Sequence, residues 1–198
     1  MLDESVTVID TTPSDNASGA ENQQERFSIE AISPDIGHFL AGFALGEGSF
    51  MLVCRTRPDH RRGWRVSAAF NASQIDVAPL ELFRRTLRCG TIRRAGNGGW
   101  YYEVNTLRDI QTVIVPFFRR FPLVGQKALE FEMFERAVEL MSAGLNDATF
   151  VEVLQIRERM NGGGKRRHTM EKILRDYTPN SVAPPGPRDE IVRSHGRP

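Results

Sequence analysis

Leu40-Ala41-Gly42-Phe43-Ala44-Leu45-Gly46-Glu47-Gly48-Ser49-Phe50 is the stretch that decides the fold. Gly42 and Gly46 are four residues apart, so on a helix they share one face. Each costs a helix about 1 kcal/mol relative to alanine. Two of them in one short helix therefore need a packing or functional reason. One reason is a second helix approaching closer than side-chain ridges normally allow. The other is a helix pressed tightly onto its own core. The sequence holds one such helix and no internal repeat, so a partner helix would come from a second chain. A two-fold dimer is the commonest closed arrangement. Leu40, Gly42, Phe43 and Gly46 are the expected contact residues.

Working outward, Ser33-Pro34-Asp35 is a helix start with an early proline. The helix runs through 36–46, and Gly48 is expected to close it in a left-handed cap. Residues 49–57 then alternate, with Phe50, Leu52 and Cys54 on one side and Met51, Val53, Arg55 and Arg57 on the other. Residues 64–73 alternate likewise, with Trp64, Val66, Ala68 and Phe70 opposed to Arg65, Ser67, Ala69 and Asn71. Together they predict a hairpin with one apolar and one basic or polar face. Helical spacing returns at 79–88. Two short strands, 91–94 and 100–105, flank Ala95-Gly96-Asn97-Gly98-Gly99, a hairpin signal. Helical patterns follow at 107–121, 126–141, 150–159 and 169–176. The class is α+β, an antiparallel sheet covered on one face.

Charge is distributed unevenly. Residues 1–30 hold seven acids against Arg26 alone, whereas 51–100 hold ten arginines and three acids. The second block is the footprint of a polyanion partner, or else a solvated face. Residues 1–32 read as an acidic, disordered tail and 178–198 as a proline-rich tail, leaving a domain at 33–177. Cys54 and Cys89 are too few for a disulfide framework and lack metal-site spacing. With no apolar leader and no membrane-length apolar run, an intracellular protein of cytoplasm or organelle is expected, with no membrane partner and no small-molecule cofactor.

The motif at 40–50, with its flanking hairpins and helices, closely resembles the LAGLIDADG homing endonucleases and their maturase relatives, over about residues 36–175. The resemblance implies an αββαββα fold whose curved antiparallel sheet forms a saddle on DNA. It implies an intron-associated, site-specific nuclease that works as a homodimer and cuts a long, pseudo-palindromic double-stranded site. Glu47 occupies the metal-binding acidic position, where two copies meeting at their helix ends would pool carboxylates and carbonyls, that of Gly46 included. Such hard oxygen donors suit Mg²⁺ or Mn²⁺. Leu45 stands where the name motif has its first acid.

Further roles follow from the same resemblance. Gln74 falls where dimeric members hold a polar residue near the metal, and Lys127 resembles the lysine near the scissile phosphate, with Gln126 or Arg120 as alternatives. The arginine that often follows the glutamine is missing from Asp76-Val77-Ala78-Pro79-Leu80. Outward residues Met51, Val53, Arg55, Arg57, Arg65, Ser67, Asn71, Arg93, Tyr101 and Glu103 are the candidates for reading base edges, since a two-stranded ribbon fits the major groove. Arg61, Arg62 and the segment Lys165-Arg166-Arg167-His168, after a glycine hinge, suit phosphates. Two rival readings are a catalytically inactive DNA-binding protein or RNA maturase of the same fold, and a protein–protein module whose arginines only solubilise it.

Overall fold

A computed structural model describes residues 27–58, 63–96, 98–160 and 167–176. Residues 1–26 of the expected N-terminal tail, and 178–198, lie outside the described residues, as do Arg61, Arg62, Lys165 and Arg166.

Helix α1 spans Pro34–Glu47. The Ser33 hydroxyl caps it by accepting from the Ile36 amide, and Pro34 fills the first turn, where its missing N–H costs nothing. Strand β1 (Gly48–Thr56) begins at the next residue, with no loop between. Gly48 is therefore not the left-handed cap expected from the sequence. Its backbone is extended, at φ −85° and ψ 150°. Glycine is needed there for proximity: a Cβ would lie 2.5 Å from the Ala44 carbonyl oxygen.

β1 pairs antiparallel with β2 (Trp64–Gln74), in register from Gly48↔Ala72 to Thr56↔Trp64. Helix α2 (Ala78–Leu87) leads to β3 (Thr91–Arg94) and β4 (Trp100–Val104), and the four strands lie in the order β1-β2-β4-β3. A short α3 (Leu107–Asp109) widens into a π turn at Ile110–Ile114 and continues as α4 (Val115–Arg120). Pro116 explains the widening, because it cannot donate to the carbonyl four residues back and its ring crowds that turn. The expected αββαββα order is thus present, followed by α5 (Gly125–Ala143), α6 (Asp147–Arg159) and α7 (Met170–Arg175).

The helices cover one face of the sheet. Phe50 sits at the centre, its ring 5.1–5.5 Å from those of Phe70, Phe118, Phe131 and Phe134. Burying a side chain of this size contributes roughly 1.5–3 kcal/mol. The alternation read from the sequence holds along β1 and along β2 except at Ala69: Phe50, Leu52, Cys54, Trp64, Val66, Ala68 and Phe70 are all buried, and so is Ala69, which the alternation had assigned to the outer face. The packed body starts earlier than residue 33, however. Ile29 and Ile32 are buried in the core, and the Arg120 guanidinium donates to the Ile29 carbonyl. Phe27 packs against the same core, so three apolar side chains in six residues anchor the segment.

Replacing Gly48 by alanine forces a methyl group against the main chain of α1. The expected outcome is a loss of about 1–3 kcal/mol in equilibrium urea unfolding, and no loss would contradict the tight helix–strand junction.

Candidate nucleic-acid interface and carboxylate site

Glu47 ends α1 and is exposed. It lines a shallow cleft of about 180 Å³ with Ser73, Gln74 and Ile75 from the end of β2 and Ala95, Gly99, Trp100 and Tyr101 from the β3–β4 hairpin. The last turn of a helix leaves carbonyls without intrahelical partners and a partial negative charge. Glu47 therefore adds a carboxylate to an already oxygen-rich helix end. Gln74 belongs to the same cleft. Its amide oxygen accepts from the Ile75 N–H at 2.8 Å, which leaves its own N–H donors for the cleft.

Lys127, on α5, reaches the same corner from below. Its Nζ donates to the Gly48 carbonyl at 3.0 Å and lies 3.2 Å from Glu130 Oε2. The lysine thus touches the residue that follows Glu47. Glu130 is buried, and among the described residues its Oε2 meets no hydrogen-bond donor beyond this ammonium. Of the two alternatives to Lys127, Arg120 is committed elsewhere, to Ile29 and over the Phe121 ring.

The sheet face away from the helices carries the candidate reading residues in a grid. Met51, Val53 and Arg55 lie opposite Ala69, Ser67 and Arg65, while Asn71 lies opposite Glu103 and Tyr101 opposite Arg93. Arg57 follows the end of β1, its N–H bonded to the Gly63 carbonyl. Arg93 is held in place by Glu103 at 3.3 Å and by the Tyr101 ring at 4.6 Å. Arg55 directly opposite Arg65, both exposed, is unfavourable for the folded chain alone. Such a pair is repaid when a polyanion lies across it.

The exposed face of α1 differs from the one expected. Gly42 and Gly46 are on it, and a Cβ at either would meet nothing within 4 Å. The chain's own core therefore does not require these glycines, which sets aside the tight-core explanation for them. Leu40 is 0% exposed and points into the core, and Phe43 packs on Phe83 at 5.9 Å. Leu40 belongs to the inner face, about 160° round the helix from Gly42, whereas Phe43 is half-buried on the flank between the two faces. Phe39 and Leu45, 52% and 39% exposed, flank the glycines instead. The spacing 39, 42, 46 would have found Phe39 from the sequence.

His168 is also placed differently. It is half-buried, edge-on to Trp64 at 5.0 Å, and its Nδ1 is buried. Its ring seats the segment and does not face outward, whereas Arg167 beside it is exposed.

A family model described as LAGLIDADG endonuclease matches residues 40–138, half of the chain. The chain belongs to the LAGLIDADG endonuclease family. It is 29% identical over 145 residues to a probable intron-encoded endonuclease 3 of Neurospora crassa, covering 70% of this chain and 27% of that protein. Among solved structures it is similar to the homing endonuclease I-TnaI, with 25% identity, 73% of this chain and 95% of that one covered, and a TM-score of 0.62. It is similar also to the meganuclease I-SmaMI bound to uncleavable DNA, with 28% identity, 67% and 46% covered, and a TM-score of 0.62. The chain thus spans about a quarter of the Neurospora relative and under half of the I-SmaMI chain.

Within this LAGLIDADG chain, α1 is the motif helix, and the matched span runs from its middle through both hairpins into α5. Among the described residues, no three His, Cys, Asp or Glu side chains converge as a metal site. No described helix is long and apolar enough to cross a membrane.

Lys127→Met leaves the buried Glu130 carboxylate without its cation. A stability loss of about 3 kcal/mol is expected by urea unfolding, with most of it restored in Lys127→Met/Glu130→Leu. A loss below about 1 kcal/mol in the single variant would show that the pair does not hold this corner together.

Proposed function

We propose that this chain is the subunit of a homodimeric homing endonuclease that makes a metal-dependent double-strand break in a long, pseudo-palindromic DNA site. One observation carries the reading: an open glycine face on α1 leads directly to an exposed carboxylate, Glu47, at the helix end. A second copy docked on that face brings a second Glu47 to the same axis. Among the described residues one chain offers a single carboxylate to this cleft, so a partner's Glu47 would complete the oxygen set. The match to less than half of the DNA-bound I-SmaMI chain fits two copies of this unit standing where that chain has one length.

Glu47 and the Gly46 carbonyl, with their counterparts in the second copy, would hold Mg²⁺ or Mn²⁺, hard ions suited to carboxylate and carbonyl oxygen. When bound, such an ion supplies charge stabilisation at the phosphate and lowers the pKa of bound water. Gln74 offers N–H donors to orient water in the cleft. Lys127, bonded to the Gly48 carbonyl beside Glu47, would add a positive charge near the scissile phosphate. The outward grid supplies recognition. Arg55, Arg65 and Arg93 suit guanine or phosphate, Asn71 suits adenine, and Glu103 suits cytosine. Two-fold symmetry gives each subunit one half-site, hence the pseudo-palindrome.

Cleavage of a randomised duplex library with Mg²⁺, comparing wild type with Glu47→Gln, tests the reading. Double-strand cuts are expected from wild type, reduced in the variant by more than the roughly hundredfold that loss of an outer-shell partner costs. Selective DNA retention without cutting by either protein would leave a DNA-binding protein and contradict the nuclease.

A further inference from the structure

Arg157 is a cation 5% exposed, and it stands on the buried face of α6 with Phe150, Val153 and Leu154, where the helical period calls for an apolar side chain. A buried guanidinium is tolerated only when its donors are met. Here they are met by three different parts of the chain. Nε donates to the Leu52 carbonyl of β1 at 3.2 Å, Nη2 to the His168 carbonyl at 3.0 Å, and Nη1 to the Glu158 carboxylate at 2.8 Å. β1 is an edge strand. Arg157 therefore joins the sheet edge to α6 and to the chain at residue 168.

The same stretch is pinned from two other directions. The His168 ring packs edge-on against Trp64, itself 1% exposed, at the start of β2. Thr169 caps α7 by accepting from the Lys172 N–H, and α7 buries Ile173 in the core. Arg167, which immediately precedes these anchors, is exposed. The strand end beneath which they lie carries the Arg55–Arg65 pair on its outer face.

We infer that Arg157 is a positioning residue for DNA binding. It fixes the backbone at 168 against the end of the β1–β2 hairpin, so that Arg167 joins Arg55 and Arg65 as one rigid set of phosphate contacts. A planar fork is what the task demands, because two carbonyls on different elements must be bridged by one side chain. Lysine has the charge but not the fork. The inference rests on the DNA-binding reading above, but it concerns how the grip is built.

The test is the salt dependence of binding to a random-sequence duplex, without added metal, for wild type, Arg157→Met, Arg157→Lys, Arg167→Ala and Arg157→Met/Arg167→Ala. Each phosphate contact contributes about one unit to the slope of log affinity against log salt. Arg157→Met is expected to flatten the slope by about one and to weaken binding roughly tenfold at moderate salt. Arg167→Ala is expected to do the same, and the double variant no more than either. Arg157→Lys keeps the charge and is expected to flatten the slope too, which serves if the methionine variant does not fold. A purely structural Arg157 would lower thermal stability yet leave the slope of the folded protein unchanged and add in full to Arg167→Ala. That result overturns the inference alone. Wild-type binding with no salt dependence would overturn the DNA reading with it.

Discussion

The helix α1 turns into the strand β1 without a single intervening residue, and this junction governs what the rest of the molecule can do. Glu47 is the last residue of the helix and Gly48 the first of the strand. The junction is so tight that residue 48 has no room for a Cβ beside the Ala44 carbonyl. A carboxylate on a loop would wander relative to the sheet. Here it is held at a fixed place beside the cleft formed by the ends of β2 and the β3–β4 hairpin. The Lys127 ammonium grips the same junction from α5 through the Gly48 carbonyl. The proposed carboxylate site and the proposed reading face would therefore share one frame, and residues far along the chain support a junction that lies near its start.

The glycines of α1 and its junction with β1 separate into two physical kinds. Gly37 and Gly48 are required by the chain itself, since a Cβ at 37 would lie 2.2 Å from the Phe121 ring and one at 48 would strike the main chain. Gly42 and Gly46 face open space. Together they cost the isolated helix about 2 kcal/mol relative to alanine, with no compensation inside the chain. Exposed Phe39 and Leu45 beside them make the same point in apolar surface. The opposed Arg55 and Arg65 are a parallel case on the sheet. In each, a local arrangement that weakens the free chain makes sense once something else is docked on it: a second helix in one case, a polyanion in the other.

Much of this was legible in the sequence because it depends on short periods. A period of two along 49–57 and 64–73 gave the inner and outer faces of the first hairpin. The Gly-rich 95–99 segment gave the second turn, and the motif at 40–50 gave the family. What was not legible depends on phase or on long-range contact. Leu40 lies within the motif yet faces inward, and Phe43 is half-buried, since the motif marks the helix but not the rotation of each residue about it. Gly48 was misread as a cap because a loopless helix–strand junction leaves no local signature. Ile29 and Ile32 anchor a segment whose composition is that of a tail. His168, set among basic residues, is held by Trp64, more than 100 positions earlier. Arg157 stands at a position that the helical period assigns to the buried face of α6, but only the fold brings β1 and residue 168 to it.

The account turns on two copies meeting along the glycine face of α1. Oxidative cross-linking of Gly46→Cys tests this most directly, because a disulfide forms only when two Cα atoms approach within about 7 Å. The chain's own thiols interfere little: Cys54 is buried, and burial pushes the Cys89 thiol up. Mild oxidation of Gly46→Cys, or of Gly42→Cys, is expected to give a covalent dimer, while Thr91→Cys on the far edge strand gives none. Failure of both glycine positions to cross-link, at concentrations where the protein binds DNA, would contradict the dimer and with it the shared carboxylate site.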